Sequence, residues 1–409
     1  MAVQLWMCLF SRLGELCLDP RPATRKSAGQ TLFSTIAAHG SLLAVPTWQA
    51  VLWQVLFPLL DRVGIESGLA STERAGTELL IHHSRNTAAK QWAETQVLTI
   101  SGVARVFVTK RSLLHSLGDF PKAWRLLLDH VQRLALQQTQ EVALAALKAF
   151  HEMVVSGGSE AGDSTAGGRW AAAWWAWLAI AQGSSLPLEP GMEDTAAPGQ
   201  AFLTALFHLY PLLLPHIQTK LVPADLEKLC SVLSACLALP IQTDTELGYL
   251  GFSTEPTLLP THQAMLTSIT TTQEFAVSSA PALLPGLFAC LPHLAGLVHR
   301  WPEPAHRCAV KGVFPEKFIL LGERAMAAVG SLYEVTHLLA PVQESGVLLQ
   351  IIAGLRGPLE LRYSCIQQSS WRLASQVLLS CLAHSLTALP ACQQRIAEIC
   401  DAVIDCLDR

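Results

Sequence analysis

Two prolines one residue apart, Pro20 and Pro22, stand between two stretches that both carry the spacing of a helix. Proline has no amide hydrogen and crowds the residue before it, so no helix continues through this point. Met1 to Leu18 before the break reads as an amphipathic helix interrupted by Arg12 and Glu15. After the break Ala28, Leu32 and Ile36 recur every four residues, which aligns them on one helical face. A chain that stops one helix and starts another within a few residues folds the second back onto the first. The unit is a helical hairpin, and whether it recurs decides the fold.

It recurs through the first third. Trp48 to Val63 is apolar almost all round, with Pro58 expected to kink it. A polar, glycine-bearing stretch from Gly64 to Gly76 then reads as a loop. Ala93, Val97, Ile100, Ala104 and Phe107 form one stripe, and Phe120, Trp124, Leu127, Val131 and Leu134 form another. Gly118-Asp119 reads as the stop and cap that opens the latter. Ala143, Leu147, Phe150 and Val154 complete a third hairpin, and Trp92, Trp124, Phe107 and Phe150 are expected to share a core. Second helices of successive pairs begin near Ala23, Ala88 and Gln140. That pitch is longer than the roughly 40–47 residues of a regular HEAT array, and the Gly64–Gly76 insertion accounts for much of the excess. Asp19 and Arg25 resemble the polar ladder that ties neighbouring HEAT repeats together.

Ser156–Gly168 is rich in glycine, serine and acid and reads as a linker. Trp170 to Gln182 follows with its Trp174-Trp175-Ala-Trp177 cluster, either core or a partner- or membrane-facing surface, and then a second loose segment, Gly183–Gly199. Helical patterns resume at Ala201–Gln218 and at Ala224–Leu239, with Pro223 set for a helix start. Thr243–Thr261 is a third irregular insertion. Helices from His262 onward are broken at Ala280-Pro281, Trp301–Pro304 and Gly357-Pro358. No alternating strand pattern of useful length occurs. The expected architecture is all-α: an α-solenoid of stacked helical hairpins with irregular loop insertions, organised as repeats over 1–155, linkers flanking a tryptophan-rich helix over 156–200, and further repeats over 201–409.

Composition narrows the function. Net charge is −4 and the basic residues are scattered; short pairs such as Arg25-Lys26 and Lys110-Arg111 read as solvated faces, so nucleic acid is not an expected partner. The 11 cysteines show no CxxC pair, and Cys230 and Cys236 sit six apart. An odd count with no secretory signal implies reduced, buried thiols in the cytosol. The apolar runs Ala171–Ala181, Ala201–Ile217 and Pro281–Val298 are short or broken by proline and histidine. A membrane span needs about 20 apolar residues, so these read as buried helices. Stacked hairpins offer a surface for holding other proteins. No GxxxxGK[ST], GxGxxG, GxSxG or HExxH occurs. His82-His83 are adjacent and diverge on either a helix or a strand, so they chelate one ion poorly. No catalytic, cofactor-binding or metal site is assigned, no cofactor is expected, and the chain is not read as an enzyme.

Several blocks resemble one family. They are Leu13–Cys17, Asp19–Pro22, Arg25–Phe33, Trp53–Asp61, Ile81–Thr87 and Lys90–Leu98, and later Tyr363-Ser364-Cys365 with Trp371–Ala374. Together they resemble the C-terminal region of the Mon-two proteins, strongly from about residue 5 to 155. The resemblance implies a piece of a much longer HEAT/armadillo-like trafficking protein, related to the large Arf guanine-nucleotide exchange factors but without their exchange domain. It implies a cytoplasmic scaffold held peripherally on trans-Golgi and endosome membranes, acting in endosome-to-Golgi retrieval and retromer-type cargo recycling. Implied partners are a Dopey-type scaffold, an aminophospholipid flippase and Arf or Arl small GTPases. Regulation of Arf nucleotide exchange, or an adaptor role such as nuclear transport, are the alternatives.

Overall fold

The computed structural model describes residues 2–72, 87–157, 166–185, 198–239, 258–299, 315–363, 368–387 and 395–407, and the regular structure among these described residues is helical, with no strand. The chain divides into two compact units, Met1–Gly183 and Ser184–Arg409. The fold is the expected all-α solenoid.

The first unit runs through α1 (Ala2–Leu16), α2 (Pro22–His39), α3 (Val45–Ala50), α4 (Phe57–Thr72), α5 (Ala88–Thr109), α6 (Arg111–His115), α7 (Phe120–Ala135) and α8 (Gln140–Val155) into α9 (Ala166–Ser184). Helix α1 packs on α2, α4 on α5 and α7 on α8, while α2 also packs on α5 and α5 on α8. Each hairpin therefore buries its apolar stripe against its neighbours, as a solenoid requires. The starts of α2, α5 and α8 fall at Pro22, Ala88 and Gln140, within a residue of the sequence expectation. Helices α2 and α5 run parallel, since Arg25, Gly29 and Phe33 meet Thr95, Leu98 and Gly102 in that order. Their approach is close because Gly102 seats the Phe33 ring; a Cβ there would lie 2.3 Å from it.

Two expectations change here. Gly64–Thr72 is helix, not loop: it is the second half of α4. Glycine weakens a helix by about 1 kcal/mol relative to alanine, but Val63 and Ser67 are buried on one face and Ser67 donates to Gln96 of α5 at 3.1 Å. Packing outweighs propensity there, while residues 73–86 lie outside the described residues. Pro58 does not kink a continuous α-helix. Instead a π-helical turn, Val51–Leu56, joins α3 to α4 just before it, which widens the helix where proline supplies no amide.

The second unit comprises α10 (Gln200–Ile217), α11 (Pro223–Leu237), α12 (Pro260–Ser279), α13 (Leu284–Ala295), α14 (Pro315–Thr336), α15 (Ala340–Glu344), α16 (Val347–Glu360), α17 (Gln368–Thr387) and α18 (Ile396–Leu407). Helices α10, α12, α14 and α17 pack in one layer, and α11, α13, α16 and α18 in the other. Helices α10 and α12 are parallel and share polar contacts in order: Thr261 to the Gln200 carbonyl, Ser268 to the Phe207 carbonyl, and Tyr210 with Thr272. Ser268 and Thr272 are fully buried, so these bonds satisfy hydroxyls that would otherwise be costly inside the core.

Helix α13 is the centre of this unit. With its flanking 3-10 turns it forms the Pro281–Val298 segment, the one segment among the described residues long and apolar enough to cross a membrane. Leu284, Leu287, Phe288, Leu291 and Leu294 are buried against α11, α12, α14 and α16. Two glycines let neighbours reach its backbone. A Cβ on Gly322 of α14 would lie 2.9 Å from the Val298 nitrogen, and one on Gly354 of α16 would lie 2.2 Å from Pro292 Cβ. The break expected at Gly357-Pro358 is absent; Pro358 sits in the last turn of α16, which ends at Glu360. Proline there removes a single bond from a helix about to end, so the helix tolerates it.

Candidate functional site

The ladder inferred from Asp19 and Arg25 exists, with different partners. Arg25 is 1% exposed; its Nε donates to Thr95 Oγ1 of α5 at 3.0 Å, and its Nη1 to the carbonyls of Asp19 at 2.9 Å and Pro20 at 3.0 Å. The guanidinium lies 4.0 Å over the Trp92 ring, an arrangement that attracts a cation to the ring face. Arg25 thus ties the first hairpin to the second. Asp19's carboxylate does not join it, because Arg21 takes both oxygens at 2.8 and 2.9 Å and adds its backbone amide at 2.9 Å. Those bonds hold the Asp19 carboxyl down at about 2. Trp92, expected in the core, is half-buried and serves as the platform for Arg25.

Lys110-Arg111 is not a solvated face. Lys110 Nζ donates to the Ala37 carbonyl at 2.9 Å and to Ser41, at the end of α2. Arg111 donates to the carbonyls of Ser156 and Gly157, at the end of α8. Helix C-termini leave carbonyls unsatisfied and carry partial negative charge, so two adjacent cations after α5 cap its neighbours on either side. Asp119 departs from expectation in the same way. It stands at the start of α7 without capping it, and its carboxylate accepts from Gln49 and Trp53 of the preceding hairpin.

The tryptophan cluster divides. Trp170, Trp174 and Trp177 are buried, whereas Trp175 is 53% exposed. Trp170 meets Trp124 of α7 edge to face at 6.3 Å, so this part of α9 belongs to the core.

His130 on α7 is 4% exposed and stacks on Phe57. Arg133 donates to its Nδ1 at 2.9 Å, which fits a neutral ring. Burial, reinforced by the Arg133 charge and opposed by Asp61, pulls its pKa from 6.5 to about 4. The unfolded chain takes up a proton near 6.5 that the folded chain refuses until about 4. The stability from this group is therefore intact above 6.5 and lost as pH falls towards 4, roughly 3 kcal/mol in all at about 1.4 kcal/mol per unit. Urea titrations across that window should show wild-type stability falling more steeply than that of His130→Gln. Equal slopes would mean the imidazole titrates normally.

Open grooves are the remaining geometry. One of about 420 Å³ lies along α2, α5 and the start of α8, lined by Pro22, Lys26, Glu94, Val97, Leu98 and Glu141. Its apolar floor and mixed charges suit contact with a protein surface. Another of about 590 Å³ lies between α11 and α13. The cysteines among the described residues are free thiols; burial pushes Cys17, Cys236 and Cys381 up to about 12, as expected of reduced core thiols, while Cys8 and Cys400 are exposed. Among the described residues no group of three or more His, Cys, Asp or Glu could hold a metal ion. His82-His83 lies outside them.

A family model described as the C-terminal region of Mon2 protein matches residues 2–167 and 169–409. The Drosophila melanogaster protein named Protein MON2 homolog is 41% identical over 450 residues, covering 99% of this chain and 27% of its own length. The Homo sapiens protein of that name is 38% identical over 455 residues, covering 93% of this chain and 26% of its own. A shorter match, 28% identical over 130 residues and covering 32% of this chain and 6% of its own length, is to the Caenorhabditis elegans protein named Golgi-specific brefeldin A-resistance guanine nucleotide exchange factor 1 homolog. The chain thus spans about a quarter of the length of the two MON2 homologs. No solved structure matches.

Proposed function

This chain belongs to the Mon2 family, whose C-terminal region it matches along nearly its whole length, and on that premise we propose that it is a non-catalytic scaffold of membrane traffic at the Golgi. The observation that carries the reading is the end-to-end family match on stacked hairpins whose polar residues are spent on holding repeats together. Arg25, Lys110, Arg111 and Asp119 all bond across helices instead of converging on one reactive point. The likeness to a Golgi-specific exchange factor supports the compartment.

The finer reading is retrieval between endosomes and the trans-Golgi network, including retromer-type cargo recycling. A Dopey-type scaffold, an aminophospholipid flippase and Arf or Arl GTPases are the proposed partners, and attachment to the membrane is peripheral. Proximity labelling of the chain in cells should recover Golgi and endosomal proteins; recovery of nuclear or cytoskeletal proteins without them would defeat the proposal. The same similarity favours a second reading, regulation of Arf nucleotide exchange. A scaffold leaves nucleotide release from purified Arf unchanged, both alone and with an authentic exchange factor. Altered release in the presence of that factor supports the second reading, and acceleration by the chain alone overturns the non-catalytic one.

A further inference from the structure

Helices α11 and α13 carry two thiols in register. A Cβ placed on Gly286 would lie 3.5 Å from the Cβ of Leu226, and disulfide-linked cysteines hold their Cβ atoms about 3.5–4.5 Å apart. Cys230 and Cys290 stand one helical turn beyond Leu226 and Gly286 respectively. A helix returns to the same face after about 3.6 residues, so that step on both helices keeps the pair facing. The two cysteines line one groove with Glu227 and His293. Cys230 is partly exposed and Cys290 is buried.

We infer that Cys230 and Cys290 form a reversible disulfide that clamps α11 to α13, with a peroxide as oxidant and a dithiol as reductant. Cys230, which solvent can reach, gives up its proton and its sulfur attacks a peroxide oxygen, breaking the O–O bond to leave a sulfenic acid and water. The Cys290 sulfur then attacks the sulfenic sulfur, displacing hydroxide, which takes the Cys290 proton and leaves as a second water. Two thiols lose two electrons in total, and one hydrogen peroxide becomes two waters. The neighbouring Cys230 and burial push the Cys290 thiol up and keep it from solvent, so Cys230 is the thiol that meets the oxidant first. Disulfides that form in reducing compartments are mostly transient and redox-sensing. Cys236 lies six residues beyond Cys230 on α11, so it is turned away from that face and buried.

The test is hydrogen peroxide treatment of the full chain, alkylation, and digestion with a glutamate-specific protease, which cuts between the two cysteines at Glu246 and Glu274. Mass spectrometry should find a Cys230–Cys290 crosslink that dithiothreitol removes, with Cys236 still alkylated. The oxidised chain should melt higher than the reduced chain and return on reduction, and Cys230→Ser should abolish both effects. Overoxidation of Cys230 while Cys290 remains alkylatable would overturn the assignment. So would a crosslink to any other cysteine, or a crosslink that leaves melting unchanged.

Discussion

Replacing Gly354 with valine is expected to lower the melting temperature of the second unit by roughly 5–10 °C, an overpacking cost of about 3 kcal/mol. Local propensity argues the other way, since glycine is the worst helix former after proline and almost any substitute should help. The neighbours decide. A Cβ at 354 would lie 2.2 Å from Pro292 Cβ and 3.2 Å from Pro292 Cα, and Pro292 sits inside α13, held by the core around it. Gly322→Ala tests the opposite flank, where the obstacles are the Val298 nitrogen at 2.9 Å and the Ala295 carbonyl at 3.1 Å. Backbone cannot swing aside as a side chain can, so this smaller change should also destabilise. Gly64→Ala on α4, which has nothing within 4 Å of its Cβ position, supplies the contrast. It should stabilise by about 1 kcal/mol through propensity alone. Calorimetry on the three variants separates the effects; a neutral or stabilising Gly354→Val would show that α13 is not gripped at Pro292.

The same contest explains what was legible in the sequence. Helix spacing is local, so the stripes Ala93–Phe107 and Phe120–Leu134 and the starts of α2, α5 and α8 follow from the residues themselves. What failed depends on partners distant in sequence. Gly64 to Thr72 reads as a loop until α5 offers Gln96 to Ser67. Lys110-Arg111 reads as a solvated pair until the ends of α2 and α8 are placed on either side of it. Asp119 has the chemistry of a cap, but a tryptophan and a glutamine from the previous hairpin reach it first. The offset between repeats is the missing quantity. It varies with each insertion, so no fixed period reveals that Arg25 will meet Thr95. The thiol pair was hidden for the same reason, since Cys230 and Cys290 share a face only once α11 and α13 are side by side.

Trp124→Ala should have the largest effect in the first unit, because it breaks an aromatic run that crosses four helices. Phe57 meets Phe107 at 6.2 Å, Phe107 meets Phe120 at 6.1 Å, Phe120 meets Trp124 at 6.1 Å, and Trp124 meets Trp170 at 6.3 Å. These rings come from α4, α5, α7 and α9, so the run links helices that no single hairpin joins. Trp124 is 6% exposed, and its Nε1 donates to the Arg169 carbonyl at 3.3 Å. Truncation removes the ring, leaves a cavity beside Trp170, and removes a hydrogen bond to a buried carbonyl. A cost of about 3–5 kcal/mol follows, which for a unit of this size is roughly 10 °C in melting temperature. Trp170 of α9 meets α7 at this ring, so α9 should be the first element to loosen. Limited proteolysis of the variant should cut within residues 1–183 while 184–409 persists, and calorimetry should show only the first unit's transition moving. Trp124→Phe retains most of the apolar contact and should recover the greater part of the loss, leaving mainly the missing bond to Arg169. If both transitions fall together in Trp124→Ala, the two units unfold as one cooperative block and the expectation of separate melting fails.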